Sequence, residues 1–239
     1  MTAPGSFDPF SAPAPEDLPA RATRLATACA VISMLMANPP SPVLRENLHE
    51  GAMTERWPLR DAVSRAGAEE LALAAHESPQ AQETDWRELI GPSCPTRPVL
   101  SDLVPEAPAV PAEAEATLPS PSHLSLLPHD HLAVGLSRTG SLAVRAVGAR
   151  QVRSEGAAAP DAAASDTSLQ TTASAPSPEE TAFVATVTYL LAPLAPATSQ
   201  VLRSQATTHL YRGAADLLDG IVAEAESLAE AVQAGATRR

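Results

Sequence analysis

An all-α fold is what this sequence predicts, on three observations. The hydrophobic content is 44% but only 3% of residues are aromatic, and alanine, leucine and valine dominate it, a mixture that packs along helical stripes and is poor material for strands. Apolar residues recur at spacings of three, four and seven, and no segment alternates with period two for long enough to make a strand. Ser-Pro, Asn-Pro and Gly-Pro pairs punctuate the chain where helix caps and stops belong.

Taken in order, residues 1–18 are a Pro-punctuated tail without apolar periodicity, expected to be disordered. A first helix is expected from Pro19 to Ala37, with Leu25, Cys29, Ile32 and Met36 on one face, stopped by Asn38-Pro39-Pro40. Ser41 and Pro42 supply N-cap and first position of a short second helix that ends at Gly51. Trp57-Pro58-Leu59 makes a tight connection, after which helices are expected over 61–77 and 79–90, the second ended by Gly91-Pro92.

Residues 105–122 are a Pro/Ala linker separating an N-terminal helical part, 19–104, from a C-terminal one, 123–234. A helix is expected from His129 to Arg153, with Gly135 and Gly140 as weak points. The stretch 154–178, mostly Ala, Ser, Thr, Pro and Gly, cannot build a core and is expected to be a flexible loop. Ser177-Pro178-Glu179-Glu180 then reads as a capping box. Phe183, Val187, Leu190, Leu191 and Leu194 form the stripe behind it, and Pro193 and Pro196 are expected to kink or break that helix. A last long helix carries Leu210, Leu217, Leu218, Ile221, Leu228 and Val232.

The net charge of −12 repels nucleic-acid phosphate and anionic lipid, and suits a basic partner. Cys29 and Cys94 are too far apart for a CxxC pair and make no disulfide framework, which points to the cytoplasm. The longest apolar stretch, 25–37, is too short for a bilayer, so no stable membrane insertion is expected.

Catalytic patterns fail in turn. The chain has no lysine, which excludes a P-loop lysine and a Schiff base. Gly135-Leu136-Ser137-Arg138-Thr139-Gly140 is one residue too long for a nucleophile elbow, and His49-Glu50 has Met53 where a zinc-binding helix needs its second His. His129-Asp130-His131 is the densest polar cluster. A metal-dependent hydrolase centred on the two histidines is one reading, and Asp130 capping a helix between exposed histidines is another. No cofactor and no metal are expected, and the chain is read as a non-enzyme.

Three segments carry a resemblance. Asp85-Trp86-Arg87-Glu88-Leu89-Ile90-Gly91-Pro92 is followed by Pro98 and Ser101. Pro128-His129-Asp130-His131-Leu132 comes second, and Tyr189-Leu190-Leu191-Ala192-Pro193-Leu194 with Leu210-Tyr211-Arg212 comes third. In this order the chain resembles the TorD/DmsD/NarJ family of redox-enzyme maturation chaperones across residues 20–230. Gly135 stands where that family usually has Glu, Ile90 replaces an expected Phe, and Leu103 sits where an aromatic is common.

The resemblance implies an all-helical bundle of the TorD/DmsD type. It implies a cytosolic chaperone whose partner is a molybdopterin-containing oxidoreductase subunit or its twin-arginine signal peptide. On it, Trp86, Leu89 and Ile90 line an apolar groove, and Pro98 and Ser101 shape its rim. Pro128, Asp130 and His131 form a polar corner, with Asp130 accepting the leader's arginines. A monomer and a domain-swapped dimer are both compatible with the long linker. The other reading of the same helices is a regulatory or scaffold protein without leader recognition.

Overall fold

The structure is a computed structural model that describes residues 17–111, 121–158 and 175–237. Its helices are α1 Leu18–Ala37, α2 Pro42–His49, α3 Ala52–Glu55, α4 Ala62–Ala74, α5 Pro79–Leu89 and α6 Leu100–Leu103, then α7 Leu132–Ala158, α8 Pro178–Thr186, α9 Ala192–Gln205 and α10 His209–Thr237. A 3-10 turn, Ser122–Leu124, precedes α7, and a π-helical turn, Val187–Leu191, joins α8 to α9. Among the described residues there is no strand, only one isolated antiparallel bridge between Val99 and His131. The tail 1–16, the centre of the proposed linker and most of the proposed 154–178 loop lie outside the described residues.

Local sequence accounts for four of the helix starts. Ser41, Asp61 and Ser78 each accept the backbone N–H three residues on, from Leu44, Ser64 and Ala81, satisfying donors that a helix end leaves free. Burial pushes the Asp61 carboxyl up, but its hydrogen bonds from Ser64 outweigh that and hold it below the usual carboxylate range. At α8 the capping box closes in both directions: Ser177 accepts from the Glu180 N–H and the Glu180 carboxylate accepts from the Ser177 N–H.

Two boundaries differ from expectation. Helix α7 begins at Leu132 and runs to Ala158, five residues beyond Arg153, because the Ser-Glu-Gly-Ala-Ala that follows holds no residue barred from a helix. The prolines after Tyr189 neither break nor end their helix. The chain stays helical from Pro178 to Gln205, with the π turn placed where Pro193 would otherwise disrupt the hydrogen-bond ladder. There the Ala192 N–H donates to Val187, five residues back, a wider turn that absorbs the shift in register.

The core is built around α10, whose Leu210, Leu217, Leu218, Ile221, Leu228 and Val232 are all buried. Helices α4 and α9 pack along it, and α1 packs chiefly against α7. Small residues set these distances. Gly67 of α4 and Gly213 of α10 face each other so closely that a Cβ on either would lie 2.8 Å from the other's carbonyl oxygen. A Cβ on Gly140 would lie 3.1 Å from the Ala26 Cα across the α1–α7 crossing. The Ser33 hydroxyl donates to the Ala133 carbonyl at 2.7 Å, and Arg21 grips Glu224 with two hydrogen bonds, so α1 is fixed to both α7 and α10.

The helices Leu18–Ala37 and Pro178–Gln205 are long and apolar enough to cross a membrane by length and composition, with 44% and 56% of those windows buried inside the protein. The expectation that the first apolar stretch is too short took 25–37 alone; the helix reaches back to Leu18 and is 20 residues long. Its Leu25, Cys29, Ile32 and Met36 are buried against other helices.

The two kinds of glycine separate in a stability measurement. Gly213→Ala puts a methyl against backbone that cannot turn aside, and overpacking of this sort costs about 1–3 kcal/mol, more than alanine's helical advantage. Gly148, in α7, has nothing within 4 Å of its would-be Cβ, so Gly148→Ala stabilises by roughly 0.5–1 kcal/mol. Urea denaturation of the two variants reads both signs.

Candidate functional site

The site is assembled by two fastenings between distant segments. The first fixes α5. Asp85 is buried, and its carboxylate accepts four hydrogen bonds: from the N–H and hydroxyl of Thr207 at 3.0 and 2.8 Å, and from the N–H and hydroxyl of Thr208 at 2.8 and 2.7 Å. Thr207 and Thr208 are the last residues before α10. Glu77 accepts the next two amides, His209 at 2.5 Å and Leu210 at 3.4 Å, and the His209 ring meets Glu70 at 2.6 Å. The positive end of a 29-residue helix is thus met by carboxylates from α4, α5 and the turn between them. Burial, with Asp85 nearby, drives the Tyr211 phenol far above its ordinary range, so it stays protonated.

The second fastening is the crossing of 98–101 over 128–132. The Leu100 N–H donates to the Asp130 carbonyl at 3.1 Å, the Leu132 N–H donates to the Pro98 carbonyl at 2.8 Å, and the Ser101 N–H donates to the Asp130 carboxylate at 3.1 Å. Pro98 suits its place because only its carbonyl is used and its missing N–H leaves no gap in the pairing.

This crossing divides the surface into two clefts. The larger, of about 470 Å³, is lined by Trp86 of α5 and Ile90 at its end, Met36 and Asn38 at the end of α1, Arg97 and Val99, and Leu124, Leu126, Leu127 and Pro128, with His123 and His131. The smaller, of about 250 Å³, is lined by Leu100, Ser101, Val104, Val110, His129, Asp130, Arg138 and Leu190 among others.

The residues singled out in the sequence are therefore distributed. Trp86, Ile90, Pro128 and His131 share the larger cleft, while Ser101 and Asp130 line the smaller one. Leu89 is buried in the core and lines neither, and Pro98 is a buried backbone fastener. One groove with an anionic corner becomes two clefts, and the larger has no carboxylate in its lining. The reason is the bridge itself, which turns Asp130 and His131 to opposite sides.

Arg97 sits beside that bridge. It pairs with Asp102 at 2.5 Å, and the charges of Asp102 and then Asp130 raise its pKa. The carboxylates nearest the crossing already face an internal cation.

Helix α7 is capped differently from expectation. Its N-cap is His131: the His131 carbonyl accepts the Gly135 N–H, and the ring Nδ1 accepts the Ala133 N–H at 3.1 Å. Asp130 instead accepts from Ser101. His131 is only 4% exposed. Burial lowers its pKa to about 4, against the pull of Asp130 and with the push of Arg97. Its neutral ring is required for the cap, since only an unprotonated Nδ1 accepts. His129 lines the other cleft, so the His-x-His pair does not converge on one point. Among the described residues no group of three His, Cys, Asp or Glu is placed to hold a metal ion. Both thiols are free and buried, and burial raises that of Cys29.

Several lining residues escaped the sequence reading: Met36, Arg97, His123 and the Leu124–Leu127 run. The last has a signal in the sequence, an apolar Leu-Ser-Leu-Leu held between Pro121 and Pro128, and Leu126 is 98% exposed. Nothing local marks Arg97 or Met36.

The buried His131 makes stability depend on pH. The unfolded ring takes up its proton near pH 6.5 and the folded ring only near 4, so the unfolded state holds more protons between those values and stability falls as pH is lowered through them. The expected loss is on the order of 1–3 kcal/mol. His131→Asn, which keeps a side-chain acceptor for the cap, removes that component, and denaturation midpoints of both proteins between pH 7 and 4 measure it.

Comparison with protein-family models, with curated proteins and with solved structures finds no match to this chain.

Proposed function

We propose that this protein is a cytosolic binding chaperone, without catalytic activity, for the twin-arginine leader or the apo form of a molybdopterin oxidoreductase subunit. One observation carries the reading. Of the three segments that resemble chaperone motifs, the first, 85–92 with Pro98 and Ser101, and the second, 128–132, are separated by the Pro/Ala linker, yet they meet around one pair of adjoining clefts, and Leu190 of the third lines the smaller one. Core packing alone gives no reason for these particular segments to share a solvent-facing surface.

The chemistry fits a segment with an apolar stretch beside basic residues. The larger cleft, with its tryptophan, isoleucine, leucine and proline walls, suits the apolar stretch. Asp130 and Asp102, just across the bridge, are the acceptors for guanidinium groups, and Arg97 is the internal cation that the incoming arginines displace. The net charge of −12 speeds encounter with a basic segment. This assignment moves the arginine-binding end out of the apolar cleft to its far rim.

A synthetic leader containing Arg-Arg tests it. Trp86 lines the cleft, and the only other tryptophan, Trp57, is buried at 3% exposure, so a shift in tryptophan emission reports occupancy. Asp130→Asn is expected to weaken binding about tenfold, or ~1.4 kcal/mol, with helicity unchanged. Arg97→Gln, which releases Asp102 and Asp130 from their internal partner, is expected to tighten it. Binding that ignores replacement of the peptide's arginines by glutamine, or that responds to neither variant, overturns the reading. Pull-down from native cytosol then identifies the client.

A further inference from the structure

A third cleft lies apart from the bridge, between the end of α1 and α2. It measures about 600 Å³, and its walls are Val31, Met34, Leu35, Val43, Leu44 and Met53, with asparagine, proline and serine completing the rim and no charged residue in the lining. Met34 is 63% and Val43 66% exposed. Large apolar side chains standing this far out of a folded protein, side by side over a groove, mark a surface that binds. Of the four methionines in the chain, Met34 and Met53 line this cleft and Met36 the neighbouring one. Methionine's flexible, polarisable side chain suits a wall that must adapt to its occupant.

The backbone and the charges around the cleft narrow the occupant. The rim segment 38–42 contains Pro39, Pro40 and Pro42, which have no N–H, so an extended peptide cannot add to it as a strand. An occupant here must satisfy its own backbone, as a helix does. Along α2 and its C-cap, Val43, Asn47 and Glu50 follow at i, i+4 and i+7, with Glu46 at i+3, which places the two carboxylates beside the groove's lip. Glu46 and Glu50 are exposed, whereas the guanidinium of Arg45 is turned back to donate to the Pro40 carbonyl at 2.6 Å.

We infer that the α1–α2 cleft is a docking site for a basic amphipathic helix of a partner protein, its apolar face on Met34, Leu35 and Val43 and its cationic face toward Glu46 and Glu50. This site adjoins the larger bridge cleft, sharing Asn38 at its rim, but it does not depend on the leader-binding reading. A helix in such a groove is held through anchors at i, i+3 or i+4, and i+7, and its attraction to the lip weakens with added salt.

The full-length protein is titrated with a fluorescent peptide of about 16 residues, leucines along one face and arginines along the other. Three controls carry glutamates for the arginines, a scrambled order, or a central proline. Saturable binding of the Leu/Arg peptide, at least tenfold tighter than any control and reduced at least tenfold by Met34→Arg or Val43→Arg, is the expected result. Both positions are exposed, so helicity by circular dichroism stays unchanged in the variants. Asp130→Asn leaves this binding intact, which separates the site from the bridge clefts. Equal binding of the glutamate or proline peptide, or indifference to both arginine variants, overturns the inference. Concentration-dependent self-association that Val43→Arg abolishes also overturns it, because the occupant is then a second copy of this chain.

Discussion

The carboxylate of Asp85 is the interaction from which the rest of the structure follows. A buried charge is tolerable only when hydrogen bonds replace its hydration, and Asp85 has four, all from the two threonines ahead of α10. Each charge-assisted bond is worth more than a neutral one, and the donors include amides that the helix itself leaves unpaired. One group therefore solves two problems, its own burial and the start of α10. It also fixes the direction of α5. With Asp85 held at α10, Trp86 and Ile90 are carried to the opposite side, where they wall the larger cleft.

The Val99–His131 bridge has a comparable role at smaller scale. It is the one place among the described residues where backbone pairs sideways in an otherwise helical protein, and it decides what each cleft contains. A neighbouring pair of residues, Asp130 and His131, is split between two cavities because side chains alternate across an extended segment. The same alternation explains why His131 is available to cap α7 while Asp130 is drawn to Ser101. With the histidine buried as a neutral acceptor, the charged groups left at the crossing are Asp130, held by Ser101, and Asp102, paired with Arg97.

Packing distance is governed by residues that lack bulk. The α4–α10 and α1–α7 crossings are close because Gly67, Gly213 and Gly140 allow backbone to approach backbone. Gly135 belongs with them: a Cβ there would lie 2.9 Å from Leu190. Any side chain at that position would need Leu190 to move.

What the sequence determined by itself is the local part. Helix starts at Ser41 and Ser177 were legible because an N-cap needs only one side chain and the amide three residues on. The buried stripe of α10 was legible because its period is that of the helix. The continuous path through Pro193 was not, since the π turn that admits it is settled by packing of the flanking helices. The tertiary structure alone decided the site. Leu89 and Trp86 look alike as apolar residues of one helix, yet one is buried in the core and the other walls a cleft. Asp130 and His131 are adjacent in sequence and separated in space. Which side of a helix faces solvent, and which distant segment lies opposite, depend on contacts between residues many positions apart, and no periodicity within a segment encodes them.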